Sequence, residues 1–330
     1  MNKIKWGILS AANIAYDELV PALRRSERAE LQAVGSKSEE KAKRFNAPVT
    51  YKQYEQLLED KSIDAVYIPL PNSFHAEWTV KAMQHGKHVL LEKPAALTET
   101  EMQAIKQAAE ENNVVFMEAF MYQFHRQHAR AKELLASGII GEFRHVKSHF
   151  SWMLEDSGDI RLNSELGGGA MRDVGCYGLH AVTQIVGFKP SKISMTGKVP
   201  PEFGVDTSST CVMIDNQNRT AEVSASMELP FTNRYEVFGP TGVITVDSSF
   251  RPDVSVDQFG KITVKDQDGN IILFERWKDD QYLNQVEHFQ DCILESKQPN
   301  YNVEHSLETA RYLEKAYQSL QNNGTMININ

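Results

Sequence analysis

Five short apolar runs, Ile4–Leu9, Leu31–Gly35, Ile63–Ile68, His88–Leu91 and Val114–Glu118, punctuate the first 118 residues. Each has the length of a strand buried on both faces, and helical patterns lie between them. Ile14–Arg25 carries a stripe of Ile14, Ala15, Leu19, Ala22 and Leu23, Lys52–Asp60 reads as a helix, and another runs to His85. Thr98 and Glu101 have capping-box spacing at the start of a further helix. Strands that alternate with helices in this way predict a doubly wound parallel sheet. The carboxyl ends of such a sheet share one edge, and ligands bind there.

After Ala119 the rhythm changes. A helix, His125–Ser137, ends at Gly138, and a strand is expected at Phe143–Ser151. A loop through Asp159, Arg161 and Leu166 then reaches Gly167-Gly168-Gly169, which reads as flexible, and a helix bearing Asp173, Tyr177 and His180. Strand-like stretches follow around Lys192–Lys198, Ser208–Ile214, Ala221–Met227, Tyr235–Phe238, Val243–Val246, Val254–Gln258, Lys261–Lys265 and Ile271–Phe274. Successive strands without intervening helices predict an antiparallel sheet. Helices at Asp280–Glu295 and Glu304–Gln321 and a last strand at Met326–Ile329 complete the chain. A length of 330 residues suits two domains, expected at 1–121 and 122–330.

Composition narrows the function classes. With 41% hydrophobic and 24% charged residues the chain is globular, and a formal net charge of -9 disfavours nucleic acid as a partner. No apolar run approaches membrane-spanning length, and the opening Met1-Asn2-Lys3-Ile4-Lys5-Trp6 lacks a signal-peptide apolar region. Cys176, Cys211 and Cys292 are odd in number and scattered, without metal-type spacing. A reducing cytoplasm and no metal centre are therefore expected.

The candidate residues cluster after the expected strands. Ser10-Ala11-Ala12-Asn13-Ile14-Ala15 lies where a dinucleotide-binding fold carries G-x-G-x-x-G, with Ser10, Ala12 and Ala15 in the glycine places. Small residues let the backbone approach a pyrophosphate at the helix N-terminus, although a plain strand-to-helix turn has the same look. Ser36 and Lys37 follow the second strand and suit a ribose 2′-phosphate, because Glu30 sits at the wrong end of that strand to hold a 2′-hydroxyl. Leu70-Pro71-Asn72-Ser73-Phe74-His75 follows the third, where an N-cap Asn and a helix-surface His are the plain structural alternative. Glu92-Lys93-Pro94 ends the fourth abruptly and sets a lysine where a substrate oxygen can meet it. Asp173, Tyr177 and His180, spaced by four and three, fall on one helix face, unless Tyr177 only packs there with its hydroxyl satisfied.

These stretches together resemble the Gfo/Idh/MocA family of NAD(P)-dependent oxidoreductases over essentially the whole chain. The resemblance rests on Trp6-Gly7-Ile8-Leu9 with its small-residue turn, Pro71–His75, Gly86–Pro94, and Gly167-Gly168-Gly169-Ala170 with Asp173 and Gly175. Glu118-Ala119-Phe120-Met121-Tyr122 further resembles the branch of dihydrodiol dehydrogenases and glucose-fructose oxidoreductase-like enzymes. It implies an α/β protein: an N-terminal Rossmann domain with a doubly wound parallel sheet, then a C-terminal α+β domain for substrate binding and dimerisation, with a large, mostly antiparallel sheet. The cofactor implied is NADP, with NAD the alternative, held by Ser10, Ala11, Ala12, Asn13, Ile14, Ser36, Lys37, Leu70, Pro71, Asn72, His75, Glu92, Lys93 and Arg161. Lys93, before a cis proline, would be the active-site lysine, Tyr177 the proton donor, Asp173 an orienting carboxylate and His180 a ligand for a second hydroxyl. A sugar or cyclic polyol fits these donors, oxidised or reduced at a secondary alcohol or ketone by a homodimer or higher homo-oligomer. Redox-assisted glycoside cleavage and a non-catalytic cofactor-sensing regulator are the alternative functions on the same fold.

Overall fold

The alternation of strand and helix produces β1 (Ile4–Leu9), β2 (Ala29–Gly35), β3 (Val49–Tyr51), β4 (Ala65–Ile68), β5 (His88–Leu91) and β6 (Phe116–Glu118). The computed structural model describes residues 3–329; Met1 and Asn2 of the opening stretch, and Asn330, lie outside the described residues. Among the described residues these strands form one parallel sheet in the order β3-β2-β1-β4-β5-β6. That is the doubly wound order, whose direction reverses between β1 and β4. The three-residue β3 escaped the sequence reading because Val49-Thr50-Tyr51 is too short to show a period. Leu9, Val66, Ile68, Val89, Leu91 and Phe116 bury one continuous core with Met102 and Ile105 of the helix Glu99–Asn112. Thr98 caps that helix by accepting the Glu101 N–H at 3.1 Å.

Two compact units result: residues up to Met121 with Gln281–Ala310, and Tyr122–Asp280 with the residues from Arg311 onward. The second boundary differs from the expected single cut. Trp6 and Phe289, both fully buried, pack with centroids 5.4 Å apart, so the helix Gln281–Leu294 completes the core of the parallel sheet. Arg28 adds ion pairs to Glu287 and Asp291 on that helix.

The second unit carries β7 (His145–Met153), β8 (Pro190–Lys198), β9 (Ser208–Asp215), β10 (Thr220–Ser226), β11 (Glu228–Gly239), β12 (Gly242–Asp247), β13 (Gly260–Asp266), β14 (Ile271–Trp277) and β15 (Ile327–Asn328). Among the described residues they form one nine-stranded sheet, β14-β13-β12-β11-β7-β10-β9-β8-β15. Every pairing is antiparallel except β7 with β10. The strand expected at Val254–Gln258 is absent. Pro252–Val254 forms a 3-10 turn, and the Ser255 and Gln258 N–H groups donate to the Pro252 and Ser255 carbonyls at 3.1 Å, so these two donors serve local turns instead of a ladder. Alternating valines matched a strand, but local turn bonds took the backbone. Among the described residues no helix is long and apolar enough to cross a membrane.

Candidate active site

Because the strands of the first unit run parallel, the segments after β1, β2, β4 and β5 share one edge of the sheet. The reversal between β1 and β4 sets the Ser10–Ile14 turn and the Pro69–Asn72 loop side by side at that edge, where folds of this order bind their ligands. Ser10 stands at φ 115°, the backbone region that glycine adopts readily, and its N–H donates to the Gly35 carbonyl at 2.9 Å. The helix that follows opens as a π-type segment, Ala15–Leu19, before the α-helix Val20–Arg25. Pro21, lacking an N–H, interrupts the ordinary donor series there.

After β2 the Ser36 N–H donates to the Tyr51 carbonyl at 2.8 Å, and its hydroxyl accepts the Ser38 N–H at 3.1 Å. Lys37 is exposed beside it. Arg44, which the sequence reading overlooked, folds back from the end of the helix Glu39–Lys43. Its Nη2 donates to the Ala11 carbonyl at 3.2 Å and to Asn13 Oδ1 at 2.8 Å, with the guanidinium 4.5 Å from the Tyr16 ring centroid. A second cation thus reaches the β1 turn. In the sequence it is one of several basic residues on a short polar helix, with no period to set it apart.

His75 is fully buried, not on a helix surface. Its Nδ1 lies 2.8 Å from the Pro94 carbonyl oxygen and its Nε2 2.8 Å from that of Leu70. Burial drives its pKa down to about 4, against the two carbonyls, which favour the charged ring. Neutral above that pKa, the imidazole has one N–H and donates to one of the two carbonyls, so it is wedged between the Leu70 loop and the lysine turn with both ring nitrogens facing protein carbonyls. Asn72 lies in the 3-10 turn Asn72–Phe74, half-buried. The Lys93–Pro94 peptide is cis, as the resemblance implied. Lys93 is half-buried, the Glu92 N–H donates to the Ile68 carbonyl at 3.2 Å, and the Tyr67 hydroxyl donates to Glu92 Oε1.

In the second unit the triple glycine is a locked crossing rather than a flexible loop. Gly168 and Gly169 are buried; a Cβ on Gly168 would strike the Arg161 carbonyl, and one on Gly169 would strike Asp206 and Tyr317. Asp206, fully buried, accepts the Met171 N–H at 2.9 Å, the Ser209 hydroxyl at 2.7 Å and the Tyr317 hydroxyl at 2.6 Å. Its carbonyl also takes the Ala170 N–H at 2.7 Å. Asp206 thus anchors the start of the segment carrying Asp173, Tyr177 and His180, a role no motif disclosed.

That segment is not one regular helix. π-type turns at Met171–Gly175 and Ala181–Ile185 flank the α-helical Cys176–His180, a wider winding often found at functional sites. Asp173 pairs with Arg161 Nε at 3.1 Å and accepts Trp152 Nε1–H at 3.2 Å. Arg161 also meets Asp159 at 3.2 Å, and the Asp173 charge raises its pKa further. The structure thus commits Arg161, expected at the cofactor, to two carboxylates. Tyr122 joins the other two residues: its hydroxyl lies 2.6 Å from His180 Nδ1 and donates to the Tyr177 carbonyl at 3.4 Å. His180, expected to meet a second substrate hydroxyl, is fully buried with Nδ1 turned to Tyr122.

Comparison with known proteins agrees with this architecture. The oxidoreductase family with an NAD-binding Rossmann fold, GFO_IDH_MocA, matches residues 4–120, and the GFO/IDH/MocA C-terminal domain matches residues 128–245. D-xylose 1-dehydrogenase (NADP(+)) 2 of Haloferax volcanii is 35% identical over 96% of this chain and 97% of its own length. Trans-1,2-dihydrobenzene-1,2-diol dehydrogenase of Xenopus tropicalis is 29% identical over 96% of this chain and 98% of its own. The crystal structure of KijD10, a 3-ketoreductase from Actinomadura kijaniata in complex with NADP and TDP-benzene, superposes with a TM-score of 0.89 at 29% identity, covering 97% of this chain and 98% of that one. With a parallel sheet of doubly wound order, a lysine turn on its carboxyl edge and matches through both units, the chain belongs to the Gfo/Idh/MocA family of oxidoreductases.

Proposed function

We propose that this chain is an NADP-dependent dehydrogenase that moves a hydride between nicotinamide and a CH–OH carbon of a sugar or cyclic polyol. The observation that carries the reading is Lys93, on the carboxyl edge of the parallel sheet, in a turn tied down through Glu92, Pro94 and Ala95. The xylose dehydrogenase and the 3-ketoreductase support the sugar class and the choice of NADP.

NADP, when bound, supplies the hydride acceptor. Ser10–Ile14 and Leu70–Asn72 would hold the dinucleotide, its pyrophosphate at the helix N-terminus after Ser10. Ser36, Lys37 and Arg44 would take the 2′-phosphate, with no carboxylate among the residues just after β2 to repel it. Lys93 sets an ammonium against the reacting oxygen and stabilises its developing negative charge. Tyr177 gives its hydroxyl proton to the substrate oxygen in the reductive direction, leaving a phenolate, and in the oxidative direction that phenolate takes the substrate hydroxyl proton back. Asp173, fixed by Arg161 and Trp152, orients the substrate, while Tyr122 and His180 brace Tyr177 from behind.

The test is a panel of D-xylose, other aldoses and inositols with NADP, run on the wild type and on Lys93→Met. We expect a member of the panel to reduce NADP, and Lys93→Met to bind NADPH within a few-fold while losing about two to three orders of magnitude of turnover. Near-normal turnover of that variant would overturn the assignment. Lys37→Ala should weaken NADPH by roughly tenfold and leave NADH unchanged; equal wild-type affinity for the two cofactors would remove the NADP preference.

A second copy of the chain would cover exposed apolar side chains such as Val212 and Phe274, which share one face of the nine-stranded sheet. Sedimentation should show a dimer or larger; a monomer at micromolar concentration would refute this.

A further inference from the structure

We propose that Glu118 is a positioning residue of the Lys93 turn, holding it in its working geometry through the Ala95 N–H and making that hold depend on the ionisation of its own buried carboxyl. The inference rests on the assignment of Lys93 to the reacting oxygen.

The geometry is that of a clamp. Leu91 pairs in register with Glu118 on the neighbouring strand, and the Ala119 N–H donates to the Leu91 carbonyl at 2.8 Å. Four residues on, the Ala95 N–H donates to Glu118 Oε1, again at 2.8 Å. The end of β6 therefore holds both flanks of Glu92-Lys93-Pro94, one through the strand ladder and the other through a side chain. Glu118 and Ala95 are each 1% exposed, so water does not compete for that bond. A glutamine would accept the same N–H without the cost of burying an ionisable group. An ionisable carboxyl buried at such a place is a candidate for a functional role.

The groups facing this carboxyl are few. They are the Ser306 and Tyr301 hydroxyls, the Ala95 N–H and the Glu92 carboxylate in the turn itself. Glu92 is engaged in turn by Tyr67, and Tyr301 stacks on His305 with centroids 5.5 Å apart. Burial above all, with the Glu92 charge, pushes the Glu118 pKa up to about 7, against the Ser306, Ala95 and Tyr301 donors. The carboxyl thus passes from acid to carboxylate across neutral pH. A carboxylate accepts an N–H about twice as strongly as a neutral group, so the turn is held more tightly on the alkaline side.

The test follows the Ala95 amide by NMR from pH 6 to 8 in the full chain, beside kcat for the most active sugar of the panel. In the wild type the amide resonance should inflect near neutral pH, and kcat should rise by about fivefold along the same limb. In Glu118→Gln both the inflection and the limb should vanish. Ser306→Ala, which removes a polar hydroxyl beside the carboxyl, should move the inflection to higher pH and serves if Glu118→Gln does not fold. An Ala95 amide that does not titrate, or that titrates unchanged in these variants, overturns the proposal. So does an inflection with no matching limb in kcat, which would leave Glu118 structural. An active Lys93→Met instead sinks the Lys93 assignment, and the Ala95 titration does not depend on that outcome.

Discussion

Ser10 carries the clearest sign of what the small-residue turn does. It occupies the first glycine place of a dinucleotide fingerprint and adopts φ 115°, the conformation glycine provides there. A side chain in that region costs on the order of 1–3 kcal/mol, and the loosening of the unfolded chain by glycine takes back about 0.4–1 kcal/mol. Ser10→Gly should therefore stabilise the first unit by about 1 kcal/mol, less the loss of the hydroxyl that faces Tyr54. Urea unfolding checks this, and a destabilised variant would show that the Ser10–Tyr54 contact outweighs the strain. At this scale the sequence was informative about position but not partner. Ser10, Lys37 and Lys93 were legible because each follows a strand. Arg44, Tyr122 and Asp206 were not, because their partners lie far along the chain or on short irregular segments.

Elements were legible in kind and less so in detail. The segment carrying Asp173, Tyr177 and His180 was expected as a helix behind a flexible glycine loop; over Met171–Ile185 it is wound partly as π-helix, behind a glycine crossing locked by Asp206. Three glycines read as freedom in a sequence, whereas here they permit close approach. Gly169, at φ 124°, leaves no room for a Cβ beside Asp206 and Tyr317. Gly169→Ala should shift the start of this segment and misplace Asp173 and Tyr177. Since a displacement of about 1 Å can cost on the order of 10²-fold in rate, turnover should fall by one to two orders of magnitude. NADPH affinity should hold within a few-fold, because the residues assigned to the cofactor lie in the other unit. Steady-state kinetics and cofactor titration check both halves, and an unaltered kcat would mean that the crossing has slack.

Across the whole molecule, buried histidines set the response to acid, and the two units differ in it. In the second unit burial lowers the pKa values of His125, His128, His145 and His149, that of His128 to about 3. A base whose folded pKa is depressed contributes stability above its unfolded pKa, near 6.5, and that contribution is lost as pH falls. The first unit has His75, His88 and His288 shifted the same way, but also Glu118 shifted up to about 7. A raised carboxyl stabilises fully below its unfolded pKa and loses that contribution as pH rises through 7, so it offsets part of the histidine loss on acidification. Between pH 6.5 and 5 the second unit should therefore lose more stability than the first. In Glu118→Gln the first unit should lose about 2 kcal/mol more than in the wild type, with the second unit unaffected. Native-state hydrogen exchange of core amides in each sheet reads both, and equal losses in the two units would contradict the assignment.

The residues by themselves determined the strand–helix alternation, the parallel sheet and the lysine on its carboxyl edge, because period and punctuation are local properties of a chain. They also disclosed the change to consecutive strands after Ala119. Only the tertiary structure decided that Gln281–Ala310 returns to the first unit, since burying Trp6 against Phe289 is a pairing that no local pattern announces. It likewise decided that His75 and His180 are buried braces, that Arg161 is taken by Asp173, and that Glu118 lies beneath the lysine turn. Burial and long-range hydrogen bonding fix those roles, and neither is written in the spacing of neighbours along the chain.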